Sequence, residues 1–154
     1  MIFVCVGTQK QPFKRFFDMV EQINTTDEII IQRGYNNIDS KNFNYDFSST
    51  FESDIKKADI IITHGGVGSI MEGLLNNKKV IIIPRLKKYG EHVDDHQLEI
   101  SNKFKKKNYC YIAENLEELQ LIIDENQNNK LIPYPFENKK FNFELNKIID
   151  DLIE

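Results

Sequence analysis

Two kinds of apolar pattern alternate along the chain. Short continuous runs read as strands. They are Ile2-Phe3-Val4-Cys5-Val6 closed by Gly7, Glu28–Gly34 around Ile29-Ile30-Ile31, Asp59–Thr63 around Ile60-Ile61-Ile62, Lys79–Pro84 around Val80–Ile83, and Tyr109–Ala113. Asn42–Ser49 alternates Phe43, Tyr45 and Phe47, which predicts a further strand with one covered face. Between these runs the apolar residues fall at helical spacing. The predicted helices are Pro12–Ile23, with Pro12 suited to the first turn, a short Phe51–Ala58 with Ser49 or Thr50 as cap, Ser69–Asn77, His96–Asn108 and Leu116–Asn126. Strands apolar on both faces and alternating with helices make a parallel, doubly wound sheet. The expected fold is α/β, a single Rossmann-like parallel sheet of about six strands with helices on both faces. It fills residues 1–127. Residues 128–154 read as a linker around Pro133 and Pro135, then an amphipathic helix over Phe143–Ile153. That helix suits a partner-docking element and equally suits packing on its own domain.

Composition narrows the function. The chain has 154 residues, 40% of them hydrophobic and 29% charged, which fits one globular domain. The net charge of −4 argues against nucleic acid as a partner, because a phosphate backbone calls for a basic face. Lys87-Lys88 and Lys105-Lys106-Lys107 read as solvated helix ends and loops. Cys5 and Cys110 lie inside strand-like runs, as buried free thiols of a reducing compartment. No run approaches the ~20 apolar residues of a membrane span. The opening residues do not resemble a signal peptide, so the expected location is cytoplasmic.

The chemistry concentrates where strands end, since ligands of an open parallel sheet bind beyond the carboxyl ends of its strands. The fourth strand runs into His64-Gly65-Gly66-Val67-Gly68-Ser69. Three glycines in four residues let backbone approach a ligand, and the helix that follows offers free N–H groups and the positive end of its dipole. This is a diphosphate site in type. Glu72, on the face of Ser69, would accept two hydrogen bonds from a ribose diol. Ser69-x-x-Glu72 is also a capping box, which needs no ligand. His64 reads equally as a base and as a residue that orients the loop. The spacing fits neither a dinucleotide fingerprint nor a P-loop.

Two further segments belong to the same edge. Gly7-Thr8-Gln9 after the first strand offers donors for a phosphate or a sugar, or forms a plain βα turn. Gly90–Gln97 is polar throughout. Its Glu91, His92, Asp95, His96 and Gln97 supply donors and acceptors for sugar hydroxyls, with Asp94 or Asp95 as the cap of the next helix. His92, Asp94 and His96 are also conceivable metal ligands, but the paired histidines of a zincin are missing.

Together, V-G-T-x-x-x-P-F at Val6–Phe13, H-G-G-x-G-S-x-x-E at His64–Glu72 and H-x-D-D-H-Q-x-E at His92–Glu99 resemble the bacterial exopolysaccharide and capsule transferases of the PssE/EpsE type. These are similar to the C-terminal domain of glycosyltransferase family 28 and to the catalytic subunit of the split eukaryotic UDP-GlcNAc transferase. The resemblance runs from Met1 to about Asp124. It implies the C-terminal, donor-binding half of a GT-B fold, with no cofactor, no bound metal and a UDP-sugar as donor substrate. It further implies inverting transfer of a hexose or N-acetylhexosamine to a lipid-linked acceptor, and a membrane-anchored companion subunit that completes the cleft and holds the chain at the cytoplasmic membrane. By resemblance Glu72 binds ribose, Gly66, Val67, Gly68 and Ser69 hold the phosphates, His96 and Gln97 meet the donor sugar, and Gly7 and Thr8 face the cleft. The base that deprotonates the acceptor hydroxyl lies on the companion or is His92 or Glu91 of this chain. Two rival readings are a non-catalytic, nucleotide-sugar-binding activator of a partner transferase and a Rossmann-like enzyme that uses another nucleotide.

Overall fold

The computed structural model describes residues 1–125 and 131–133, with Lys147 alone beyond them. The expected helix over Phe143–Ile153 and most of the expected linker therefore lie outside the described residues. The elements run β1 (Ile2–Cys5), α1 (Lys14–Glu21), β2 (Ile29–Gln32), β3 (Phe43–Tyr45), α2 (Phe51–Lys57), β4 (Ile60–Thr63), α3 (Val67–Leu75), β5 (Lys79–Ile82), a 3₁₀ turn at Lys87–Tyr89, α4 (His96–Lys106), β6 (Tyr111–Ile112) and α5 (Leu116–Asp124). All strand pairs are parallel, in the order β3-β2-β1-β4-β5-β6. This is the expected Rossmann-like sheet.

Strand side chains alternate between two cores. Phe3, Cys5, Ile61, Val80 and Ile82 pack with Ile55, Ile70, Leu74, Ile100 and Phe104 from α2, α3 and α4. Ile2, Val4, Ile29, Ile31, Ile62 and Ile81 pack with Phe16, Phe17, Val20 and Leu119 from α1 and α5. Each isoleucine or valine run thus feeds both faces, and at about 25 cal/mol per Å² of apolar surface this burial is the main driving force of folding. Helix α3 sits close to the sheet at Gly73, where an added Cβ would lie 2.6 Å from Val80 Cγ2.

Two expectations about elements are corrected. The alternation at Asn42–Ser49 yields only a three-residue edge strand, and its covered face is incomplete: Phe43 is 66% exposed and Phe47 43%. Helix α2, seven residues long and starting only at Phe51, reaches Tyr45 and not its neighbours. Tyr45 donates its hydroxyl to the buried Asp54, which also accepts from Thr50 Oγ1. Helix α3 starts at Val67, two residues before the expected Ser69, with Gly66 in extended conformation at its N-cap. Ser69 therefore lies inside the first turn, and the capping-box reading of Ser69-x-x-Glu72 falls.

The close approach at Gly73 predicts that Gly73→Val destabilises the fold by about 1–3 kcal/mol through overpacking. A drop in urea midpoint at unchanged slope would report it; an unchanged midpoint would count against the packing account.

Candidate functional site

The strand order reverses between β1 and β4. From β1 the chain passes to α1 on one face, and from β4 to α3 on the other. The two connecting loops part there and leave a crevice at the carboxyl edge. His64 holds them together. It is 7% exposed. A Cβ on Gly7, which has φ +68°, would lie 2.6 Å from its Nε2, and one on Gly66 would lie 2.2 Å from its Cε1. Only glycine fits at either place. Burial first, then the neighbouring positive charge of Arg85, lowers the His64 pKa to about 4. The ring is neutral at physiological pH, with Ser69 Oγ 3.4 Å from its Nε2. Of the two readings of His64, the geometry favours the orienting one.

Helix α3 leaves this wedge with no side chain capping its N-terminus. A Cβ on Gly68 would meet nothing within 4 Å, so the space over the first turn is open. Glu72, one turn further on, is exposed; its backbone carbonyl accepts from Asn76 Nδ2, but its side chain makes no hydrogen bond or ion pair among the described residues. An uncapped helix N-terminus with an unpaired carboxylate beyond it offers N–H donors for a diphosphate and two acceptors for a diol.

The segment after β5 builds the adjoining wall. Gln97 opens α4 but is buried, and its Oε1 accepts from Gly65 N and from Arg85 N, both at 3.1 Å. Two backbone donors on one atom identify it as the amide oxygen. A Cβ on Gly65 would lie 2.7 Å from Gln97 Cβ. The expectation that Gln97 meets the donor sugar is narrowed to its amide nitrogen, because its amide oxygen is spent on the scaffold, pinning the glycine loop to α4. Glu91 is corrected as well. Read as a candidate base, it is buried and bound by Arg15 at 2.9 Å and 3.1 Å while also accepting from Leu86 N. With three donors on its two oxygens and a side chain only 4% exposed, this carboxylate is shut away from an acceptor hydroxyl.

Arg85 is the residue that sequence reasoning missed. It is fully buried, its guanidinium 4.6 Å from the Phe13 ring centroid, and Nη1 donates to Gln11 O and to Glu91 O. It thus ties the loop after β1 to the segment before α4. Burial lowers its pKa to about 10, so it stays charged. Only its place directly after an apolar strand, six residues ahead of Glu91, hinted at this.

The remaining predicted residues lie in the open. Thr8 is exposed, Gln9 hydrogen-bonds Gln11, and Asp95 accepts from Lys87 N at 2.9 Å. Asp95 occupies the N-cap position of α4 without capping it, and Asp94 instead accepts from His96 N at 3.0 Å. His92 is partly buried, its side chain 18% exposed. Among the described residues no group of three or more His, Cys, Asp or Glu is arranged to hold a metal. Two cavities flank the crevice. One of about 620 Å³ lies beside α1 and is lined by Lys10, Phe17, Tyr35 and Ile38. The other, of about 330 Å³, lies at the ends of β5 and β6 and is lined by Arg15, Pro84, Tyr89 and Asp95.

Comparison with known proteins points in the same direction. A profile of the glycosyltransferase family 28 C-terminal domain matches residues 1–152. The UDP-N-acetylglucosamine transferase subunit ALG13 of Candida albicans is 38% identical over 98 residues, which is 64% of this chain and 32% of that protein. Its Saccharomyces cerevisiae namesake is 32% identical over 93 residues, 59% of this chain and 44% of that protein. The human one is 26% identical over 129 residues, 71% of this chain and 11% of that protein. The alignments thus span less than half the length of each of these relatives. In fold, the chain matches an NMR solution structure of ALG13 with TM-score 0.63 and 21% identity, covering 99% of this chain and 96% of that one. It also matches a crystal structure of the glycotransferase of kitacinnamycin with TM-score 0.58 and 13% identity, covering 99% and 39%.

The buried neutral imidazole makes stability depend on pH. Because its folded pKa lies below the ordinary 6.5, the unfolded chain takes up the proton first, and stability falls as pH drops from about 6.5 to about 4. At the lower end the loss from this residue is about 3 kcal/mol. Urea titrations of wild type and His64→Gln across this range should show the wild type losing that much more; parallel pH profiles would contradict the assignment.

Proposed function

The chain belongs to the glycosyltransferase family 28 C-terminal domain family, and from that premise we propose that it is the donor-binding, catalytic subunit of a two-component inverting glycosyltransferase. The donor is a UDP-sugar, and the group transferred is a hexose or N-acetylhexosamine. The names of the curated relatives favour the latter, since each is a UDP-N-acetylglucosamine transferase subunit. The acceptor is lipid-linked and the product enters polysaccharide biosynthesis, as in the PssE/EpsE-type transferases that the three motifs resemble. A membrane-anchored companion supplies the acceptor side; no helix among the described residues is long and apolar enough to cross a membrane.

One observation carries this reading. The open N-terminus of α3 and the unpaired Glu72 stand one turn apart on one helix, at the point where the sheet order reverses. The diphosphate lies on the amides of Val67, Gly68 and Ser69, and Glu72 takes the ribose diol. In the transition state negative charge grows on the leaving UDP, where the helix dipole and fixed amides stabilise it without reorganising. No metal or organic cofactor is needed for that step. A base on the opposite side removes the proton of the acceptor hydroxyl, and with Glu91 held by Arg15 the candidate on this chain is His92.

Replacing Glu72 by Ala should weaken UDP binding more than tenfold while leaving the fold intact, since the exposed side chain makes no hydrogen bond or ion pair among the described residues. Calorimetry showing undiminished UDP affinity in the folded variant would sink the nucleotide assignment. The isolated chain should bind UDP yet transfer no sugar; robust transfer by the purified chain alone would refute the two-component reading.

A further inference from the structure

We propose that Asp94 is a positioning residue that holds the rings of both His92 and His96 with the proton on Nδ1, so that each presents Nε2 as an acceptor at the crevice. This rests on the reading of His92 as the base. His92 Nδ1 lies 3.0 Å from Asp94 Oδ1, and His96 Nδ1 lies 3.3 Å from Asp94 Oδ2. One carboxylate thus takes one ring on each oxygen. The amide of Asp94 also approaches His92 Nδ1, at 3.4 Å. That contact has hydrogen-bond geometry and would require an unprotonated Nδ1, whereas the carboxylate lies at ion-pair distance; on the proposal the full negative charge at 3.0 Å outweighs the neutral amide and sets the tautomer.

The neighbouring charges leave this role to Asp94. Glu91 is bound by Arg15, Asp95 accepts from the Lys87 amide, Arg85 is turned inward to Gln11 and Glu91, and His64 is neutral. The three histidines divide accordingly. His64 is buried and its basicity is suppressed, whereas the side chains of His92 and His96 are 18% and 49% exposed. In the step itself, His92 Nε2 takes the proton of the acceptor hydroxyl while the acceptor oxygen bonds to the sugar carbon and the bond to UDP breaks with its electron pair on the phosphate. The Asp94 carboxylate steadies the imidazolium so formed, as a carboxylate behind a histidine does in the hydrolytic triads.

Asp94 also accepts from His96 N, a local turn that starts α4. A capping role alone would explain that bond and would not require the rings. Asparagine separates the two roles. It caps a helix about as well as aspartate, keeping an oxygen for His96 N, but it puts an NH₂ donor where Oδ2 faced His96 Nδ1. The chain holds only three histidines, so their ring nitrogens can be assigned in a long-range ¹H–¹⁵N spectrum of the full chain. At about pH 8, above the ordinary imidazole range, wild type should show His92 and His96 protonated on Nδ1. In Asp94→Asn, His96 should switch to the Nε2–H form, and in Asp94→Ala both rings should, with His64 unchanged in each. Either ring carrying its proton on Nε2 in the wild type, or an unchanged His96 in Asp94→Asn, would overturn the proposal. In the complex with its companion, Asp94→Ala should lower kcat about 10²-fold with UDP affinity within twofold, and undiminished kcat would equally overturn it. The spectra need neither donor nor companion, so their failure is separate from loss of the UDP binding on which the functional reading stands.

Discussion

The geometry of the whole edge depends on one neutral imidazole. His64 ends β4 and fills the space between Gly7 and Gly66, so that the loops after β1 and β4 close on the same ring. A larger side chain at either glycine would push the loops apart, and a charged ring would carry an unpaid desolvation cost of several kcal/mol into the core. The helix that follows can start at Val67 only because Gly66 lies flat against that ring in extended conformation. The same wedge fixes where the first free amides of α3 point. Packing in the core and presentation at the surface are therefore set by a single contact.

Around this wedge the charges are arranged inward. Arg85 is fully buried and spends Nη1 on two carbonyls, and Arg15 spends its guanidinium on Glu91 and on Pro84 O while stacking 5.0 Å from the Tyr89 ring centroid. Through these bonds the two cations brace the loops. What the crevice does offer is dipolar: uncapped amides, a hydroxyl at Ser69, two imidazoles and one unpaired carboxylate. Such a surface suits a group whose charge changes during reaction, because fixed amides favour the developing charge of a leaving diphosphate without gripping the released product as a cluster of cations would.

The fold was legible because periodicity records burial. The runs Ile29–Ile31, Ile60–Ile62 and Val80–Ile83 are apolar at every position, and only strands covered on both faces require that. The glycine loop was legible because its position after such a strand identifies the carboxyl edge. Errors arose where a decision depended on a neighbour distant in sequence. Ser69-x-x-Glu72 has the spacing of a cap, yet the helix begins earlier, because it is His64, packed against Gly66, that sets the turn. Phe43 and Phe47 alternate like a covered strand, but the short α2 leaves them bare. Glu91 looks like a ligand-binding residue because it is polar, and polarity alone cannot separate a group facing a ligand from one facing Arg15, nor show that the Gln97 oxygen is taken by Gly65 and Arg85.

That last ambiguity bears on how the crevice works. On the proposed reading it is one wall of a two-chain site and must stay organised while it is empty, since no substrate or companion is there to hold it. Here the buried polar residues do that work. Gln97 pins Gly65, Arg85 joins the segments at Gln11 and Glu91, and Arg15 locks Glu91. With these bonds holding the scaffold, the Glu72 carboxylate stays unpaired at the surface among the described residues. On the proposed reading, a donor finds its amides and carboxylate already in place, and the ordering cost of binding falls mainly on the acceptor and the companion chain. On that same reading, most of the polar residues at this edge serve the donor indirectly, by fixing the few that would touch it.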